Sequence, residues 1–199
     1  MPHSSASRPL LRLHIELADI EPLIWRDVVV PSSITLAQLH EVLQAALGWH
    51  DLHLHEFHIH HRHYGPRGQD GDDDPGRQDE TGHTLASVLS GASHFTYVYD
   101  FGDAWEHHIS VTAQLPTPVL PSLPWCLAGA NAGPPEDVGG AGAYSQFVEA
   151  MADPQHAEHE TLLDWHGQPF DPQAWDLERV NRRLKRLHQA WGQQELNRR

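Results

Sequence analysis

Cysteine is nearly missing from this chain. Cys126 is the only one in 199 residues, which excludes an internal disulfide and a multi-cysteine zinc cage. Flanked by Trp125 and Leu127, it reads as a buried, inert thiol rather than a nucleophile. Basic residues are also scarce: 13 Lys and Arg stand against 27 Asp and Glu, a formal net charge of −14. That balance argues against a general nucleic-acid binder, because phosphate neutralisation needs clustered cations. No apolar run approaches bilayer length, and MPHSSASRPL carries no apolar leader segment. Phosphate-binding glycine loops, dinucleotide fingerprints, HExxH and GxSxG are all missing. The expectation is a cytoplasmic protein with no membrane partner.

What is present suffices for a core: 39% hydrophobic residues, seven of them Trp. Charge is unevenly placed. Residues 176–199 hold seven basic against three acidic side chains, +4, which leaves −18 on residues 1–175. Contact with nucleic acid is therefore expected only through a basic C-terminal helix carrying Arg182, Arg183 and Arg186. Histidine is abundant at 18, so net charge falls in magnitude as pH drops toward the imidazole range.

Periodicity sets the elements. LLRLHIEL alternates, with Leu11, Leu13, Ile15 and Leu17 on one face and Arg12, His14 and Glu16 on the other, the pattern of a half-buried strand. It forms a hairpin with LIWRDVVV, which Pro31 stops. Thr35 and Gln38 then have capping-box spacing. Leu36, Leu39, Leu43, Ala46 and Leu47 follow at helical spacing, and Gly48 closes that helix. HLHEFHIHH reads as a strand, TLASVL as a short helical turn, and HFTYVYDF and EHHISVTAQL as two strands meeting at Gly102–Asp103. The polar stretch RHYGPRGQDGDDDPGRQDETGH reads as a solvated loop. Six of the 15 Pro lie between Pro116 and Pro135. A loop that long should be packed down, with a short strand near WCLAG. Helices follow at AYSQFVEAM, at about residues 157–165, and over a final stripe of Leu177, Val180, Leu184, Leu187 and Trp191.

The predicted fold is α+β: a mixed, mostly antiparallel sheet with a β-grasp-like hairpin–helix–strand order and additional C-terminal helices. Residues 8–199 read as one domain. Residues 8–115 form its sheet-and-helix core, and residues 116–199 supply a Pro/Gly-rich segment and helices packed on it.

Four constellations have chemical potential. His53 and His55, two apart on a predicted strand, share a face and can share a metal with a carboxylate. That face also carries Phe57 and Ile59, so two buried, hydrogen-bonded histidines are the alternative. In YDFGDAWEHH, Asp100, Asp103, Glu106 and His107 crowd one turn. They offer a base with its orienting partner, or metal ligands; the alternative is an aspartate capping turn amides while Trp105 covers the core. In GANAGPPEDVGG, Glu136 or Asp137 is placed to cap the following helix or to add a metal ligand. HIHHRH at 58–63 is an adventitious metal-binding tract.

PLIWRDVVVP, TLAQLHEVLQAALGWHDLHLHEF, YVYDFGDAWEHHI, CLAGANAGPPEDVGGAGAYSQF and DPQHAEH resemble, in order, the successive motifs of the plasmid pRiA4b ORF-3-like family. The resemblance spans Leu10 to about Leu187. It implies a compact α+β fold and brings no biochemical activity with it; some members carry a resolvase-like, mobile-element label without a mechanism. Two departures stand out: His108 where an acidic residue is common, and the acidic, Gly-rich stretch after Tyr64.

The leading expectation is a non-catalytic binding or adaptor domain, with an acidic, aromatic groove near Asp103 and an unidentified protein or small-molecule partner. The second is a metal-dependent hydrolytic enzyme. There His53, His55, Asp103 and His107 would hold a divalent metal such as zinc, and Glu106 would be the general base. It fails if those side chains point to opposite sheet faces. The third is a resolvase-like DNA-associated factor.

Overall fold

The computed structural model describes residues 9–68, 76–115 and 120–197. The alternating first segment forms β1 (Leu10–Leu17), which pairs antiparallel with β2 (Trp25–Pro31). As the alternation requires, Leu11, Leu13, Ile15 and Leu17 are buried, while Arg12, His14 and Glu16 face outward. Helix α1 (Leu36–Leu47) starts at Thr35, where Thr35 and Gln38 exchange both capping-box hydrogen bonds at 3.2 Å. Such a cap stabilises a helix by about 1 kcal/mol. Gly48 ends it with φ +98°, a left-handed conformation that a side chain disfavours.

The remaining strands are β3 (His55–Ile59), β4 (Arg62–Gly65), β5 (Arg77–Asp79), β6 (His94–Tyr99), β7 (Trp105–Leu115) and β8 (Trp125–Ala130). Among the described residues they form one eight-stranded sheet in the order β5-β4-β3-β6-β7-β1-β2-β8. Every pairing is antiparallel except β4 with β5. Short helices α2 (Leu85–Leu89), α3 (Gly140–Ala152) and α4 (His159–His166) precede the long α5 (Leu177–Asn197).

Part of the predicted solvated loop is sheet. β4 and β5 lie inside that polar stretch, with Tyr64 buried against the core. Three- and four-residue strands are too short to show a period. Residues 69–75 of the stretch lie outside the described residues. Residues 116–119 of the Pro/Gly-rich segment lie outside the described residues; after them, β8 pairs with β2, and α5 lies on both β8 and α1. Cys126 sits on this seam, fully buried. Its backbone N–H donates to Asn181 Oδ1 at 2.8 Å, and its carbonyl accepts from Asn181 Nδ2 at 2.9 Å. One asparagine on α5 thus does for the β8 edge what a further strand would do.

The core lies between the inner sheet face and the helices. It joins Leu13, Ile15, Val28, Phe57, Tyr97, Tyr99 and Ile109 to Leu39, Leu43, Tyr144, Phe147 and Leu184. The outer sheet face is ionic: Arg12 pairs with Asp27, and His14 bridges Asp27 at 2.7 Å and Glu16 at 3.0 Å.

Candidate functional site

The five residues singled out from sequence go to different places. β3 begins at His55, so His53 precedes the strand. Asp51, with φ +58°, turns the chain between α1 and β3 and delays the alternation. His55 points inward. Its Nε2 lies 2.7 Å from Glu80 Oε2, and its ring stacks on His40 at 3.5 Å between centroids. His40 in turn contacts Asp51 Oδ1 through Nε2 at 2.8 Å and the Tyr97 hydroxyl through Nδ1 at 2.7 Å. Burial holds His40 below its ordinary range, and the hydrogen bond from His40 holds the Asp51 carboxyl low.

His107 also points inward but is separate from that network. Its Nδ1 donates to the Tyr97 carbonyl at 3.1 Å, which fixes the neutral tautomer, and Nε2 is buried with no hydrogen-bond partner among the described residues. Full burial pushes His107 down to about 4. Glu106 alternates to the outer face, where its carboxylate lies 3.0 Å from His108 Nε2. The sheet therefore separates Glu106 from His55 and His107, and it cannot serve as a base for groups on the inner face. Asp103 turns elsewhere again: its Oδ2 accepts the backbone N–H of Gly139 at 3.0 Å.

Two sets converge on this side. Ligand-type atoms of His40, Asp51 and His55 lie within 4.8 Å of one another, and a second set gathers at His53. His53 Nε2 lies 2.9 Å from Asp137 Oδ1 and 3.5 Å from Asp100 Oδ2. These three ligand-type atoms all fall within 4.8 Å of one another. Asp100 is oriented by its other oxygen, which accepts from the backbone N–H groups of Gly102 at 2.9 Å and Asp103 at 3.3 Å. Asp100 and Asp137 both have left-handed backbones, φ +58° and +60°. Non-glycine residues held there, although Asp is among the least penalised, concentrate at sites where a side chain must be aimed. Although Asp137 is within 2.9 Å, His53 Nε2 has no hydrogen-bond partner of acceptable alignment.

The acids of PPED are likewise placed by tertiary contacts. Glu136 accepts the His50 backbone N–H at 2.8 Å and the Tyr99 hydroxyl at 3.2 Å. Neither Glu136 nor Asp137 caps α3; its N-cap residue, Gly139, instead donates its backbone N–H to Asp103 of the β6–β7 turn. The two most motif-like segments thus meet at one place, through Asp100, Asp103, Glu136 and Asp137.

Two further groupings were legible only in part. His40 falls in register with Leu36, Leu43 and Leu47, so a polar group on the buried helix face could have been read. Its partners Asp51 and Glu80 come from turns and carry no such signal. On the outer face, Glu56 Oε1 lies 2.9 Å from His58 Nε2 and also contacts His63, so the HIHHRH tract does hold a metal-capable group. Arg182, Arg183 and Arg186 of α5 do not share an environment. Arg182 is exposed and lies 3.6 Å from both Asp176 and Glu178, Arg186 is exposed, and Arg183 turns over Gly48 at the end of α1. No helix among the described residues is long and apolar enough to cross a membrane.

A family model described as plasmid pRiA4b ORF-3-like protein matches residues 9–179. The chain is 39% identical over 183 residues to "Uncharacterized protein y4hQ" of Sinorhizobium fredii (strain NBRC 101917 / NGR234), covering 92% of this chain and 94% of that one. A crystal structure of the protein of unknown function MM3350 from Methanosarcina mazei Go1 superposes with a TM-score of 0.78 at 31% identity. That match covers 85% of this chain and 96% of the other.

Proposed function

This chain belongs to the plasmid pRiA4b ORF-3-like family, and from that premise we propose that it is a binding domain organised around a divalent cation held by His53, Asp100 and Asp137. The observation that carries this reading is the spacing at His53. Two ligands about 2.1 Å from one ion, at angles between 90° and tetrahedral, are separated by roughly 3.0–3.4 Å. The two N···O separations here are 2.9 and 3.5 Å. A plain ion pair would align the imidazole N–H with an oxygen, and neither contact is aligned. One imidazole with two carboxylates suits a zinc-class ion, leaving positions for water or a partner's donor atom.

The test is metal analysis of untagged protein after incubation with zinc and dialysis. It is done in a His55→Gln/His58→Ala/His63→Ala background, which removes the two other metal-capable groups, His40–Asp51–His55 and Glu56–His58–His63. One ion per chain is expected, lost on His53→Ala and on Asp137→Asn. A chain that takes up no zinc, or keeps it after His53→Ala, overturns the reading.

A further inference from the structure

An open cavity of about 760 Å³ lies where the C-terminus of α1, the β8–α3 loop and the start of α5 meet. A volume of this size suits a small organic ligand. Its lining contains three guanidinium groups, on Arg26, Arg179 and Arg183, and none of them forms an ion pair among the described residues.

Arg26 is the most unusual. It is 2% exposed, and its donors go only to carbonyls: Ala46 at 3.0 Å, Trp25 at 2.7 Å, Ala130 at 2.6 Å and Asn131 at 2.8 Å. The guanidinium carbon lies over the Trp175 ring, 4.1 Å from its centroid. Its hydrogen bonds are satisfied but its charge is not neutralised, and a buried cation without a counter-ion is costly. Burial alone lowers Arg26 to about 10.

Arg179 and Arg183, one helical turn apart on α5, add two more cations. Among the described residues neither guanidinium has a hydrogen bond or ion pair. Arg183 is half-buried, and burial together with Arg179 and Arg186 lowers it. Complementing the α1 dipole accounts for its position over Gly48, but it donates no hydrogen bond there. The cavity's acids are already engaged. Asp171 accepts from the Gln173 backbone N–H, and Asp176 accepts from the Arg179 backbone N–H and pairs with Arg182. Glu136 is held by His50 and Tyr99. The lining thus holds three carboxylates against three guanidinium groups, but the carboxylates already have hydrogen-bond donors, whereas the Arg179 and Arg183 guanidinium groups have no acceptor among the described residues.

We infer that this cavity binds a small organic phosphate bearing a flat ring, its phosphate on Arg179 and Arg183 and its ring against Trp175 and Phe170. A dianion matches clustered guanidinium groups better than a monoanion, and their planar forks suit phosphate oxygens. Arg26 acts from beneath Trp175 through its field. This site is separate from the cation centre proposed above and does not depend on it.

The experiment follows tryptophan fluorescence and calorimetry of the full-length protein, treated with EDTA, against AMP, phenyl phosphate, adenosine and inorganic phosphate. AMP and phenyl phosphate should bind at one site, at least tenfold tighter than either adenosine or inorganic phosphate. Arg179→Ala/Arg183→Ala should weaken AMP at least tenfold, and His53→Ala should leave it unchanged, so that failure of the cation centre is read separately. Circular dichroism of the double variant establishes that it is folded. Three results overturn the inference: no binding of either organic phosphate, binding indifferent to the double variant, or a duplex DNA oligonucleotide bound in preference to AMP and lost on Arg182→Ala/Arg186→Ala.

Discussion

Asp103 Oδ2 accepts the backbone N–H of Gly139 at 3.0 Å, so a residue in the β6–β7 turn holds the N-cap residue of a helix that begins 37 positions later in the chain. The backbone carbonyl of Asp103 comes equally close to Gly140: a Cβ there would lie 2.6 Å from it, at φ +77°. Asp103→Ala removes that hydrogen bond and should cost about 1 kcal/mol in urea unfolding. Gly140→Ala adds both a clash with backbone and an unfavourable φ, and should cost more than Asp103→Ala. Equal costs would mean that α3 yields locally and the junction is loose.

Asp137 offers a way to separate aim from stability. Its φ is +60° and its side chain is largely exposed. Asp137→Gly should leave thermal stability unchanged or raise it by up to about 1 kcal/mol, because glycine takes that backbone without strain. The same variant should lose bound zinc. Destabilisation by several kcal/mol would show that Asp137 chiefly supports the loop.

The buried His107 makes stability depend on pH. An exposed imidazole titrates near 6.5 and this one near 4, so between those values the unfolded chain binds the extra proton. Stability from this residue is therefore complete above 6.5 and is lost as pH falls toward 4. At about 1.4 kcal/mol per pH unit, it amounts to roughly 3 kcal/mol. His40, also held low by burial, acts in the same direction. Urea midpoints measured from pH 7.5 to 4 should fall in the parent protein, and the fall should be shallower in His107→Leu. An identical slope in that variant would assign the effect to other groups.

Asn181 should be among the least replaceable residues of α5. Asn181→Leu leaves a buried N–H and C=O of Cys126 unpaired, at about 1–3 kcal/mol for each group. The thiol itself, pushed up to about 11 by burial, should resist a disulfide reagent in the native state. It should react once Asn181→Leu loosens the seam. Rapid labelling of the parent protein would contradict this account.

Local patterns in the sequence settled much of the architecture. Alternation in LLRLHIEL, the Thr35–Gln38 cap, the Gly48 stop and the stripe on α5 are interactions between near neighbours, so they can be read from a linear string. β4 and β5 escaped because strands of three and four residues carry no usable period. The family resemblance was legible for a related reason: its motifs are contiguous.

The candidate site is of the other kind. Alternation along β7 already implied that Glu106 and His107 face opposite ways, but not which group each would meet. That His53 leaves the strand, that Asp103 turns to a helix cap, and that Asp100 and Asp137 close on His53 depend on three left-handed backbone positions and on the β8–α3 loop folding back. The sequence by itself determined which segments are strands and helices, and which side chains could bear chemistry. The tertiary structure alone decided which of them share a site, because ligand geometry is set by contacts between residues far apart in the chain.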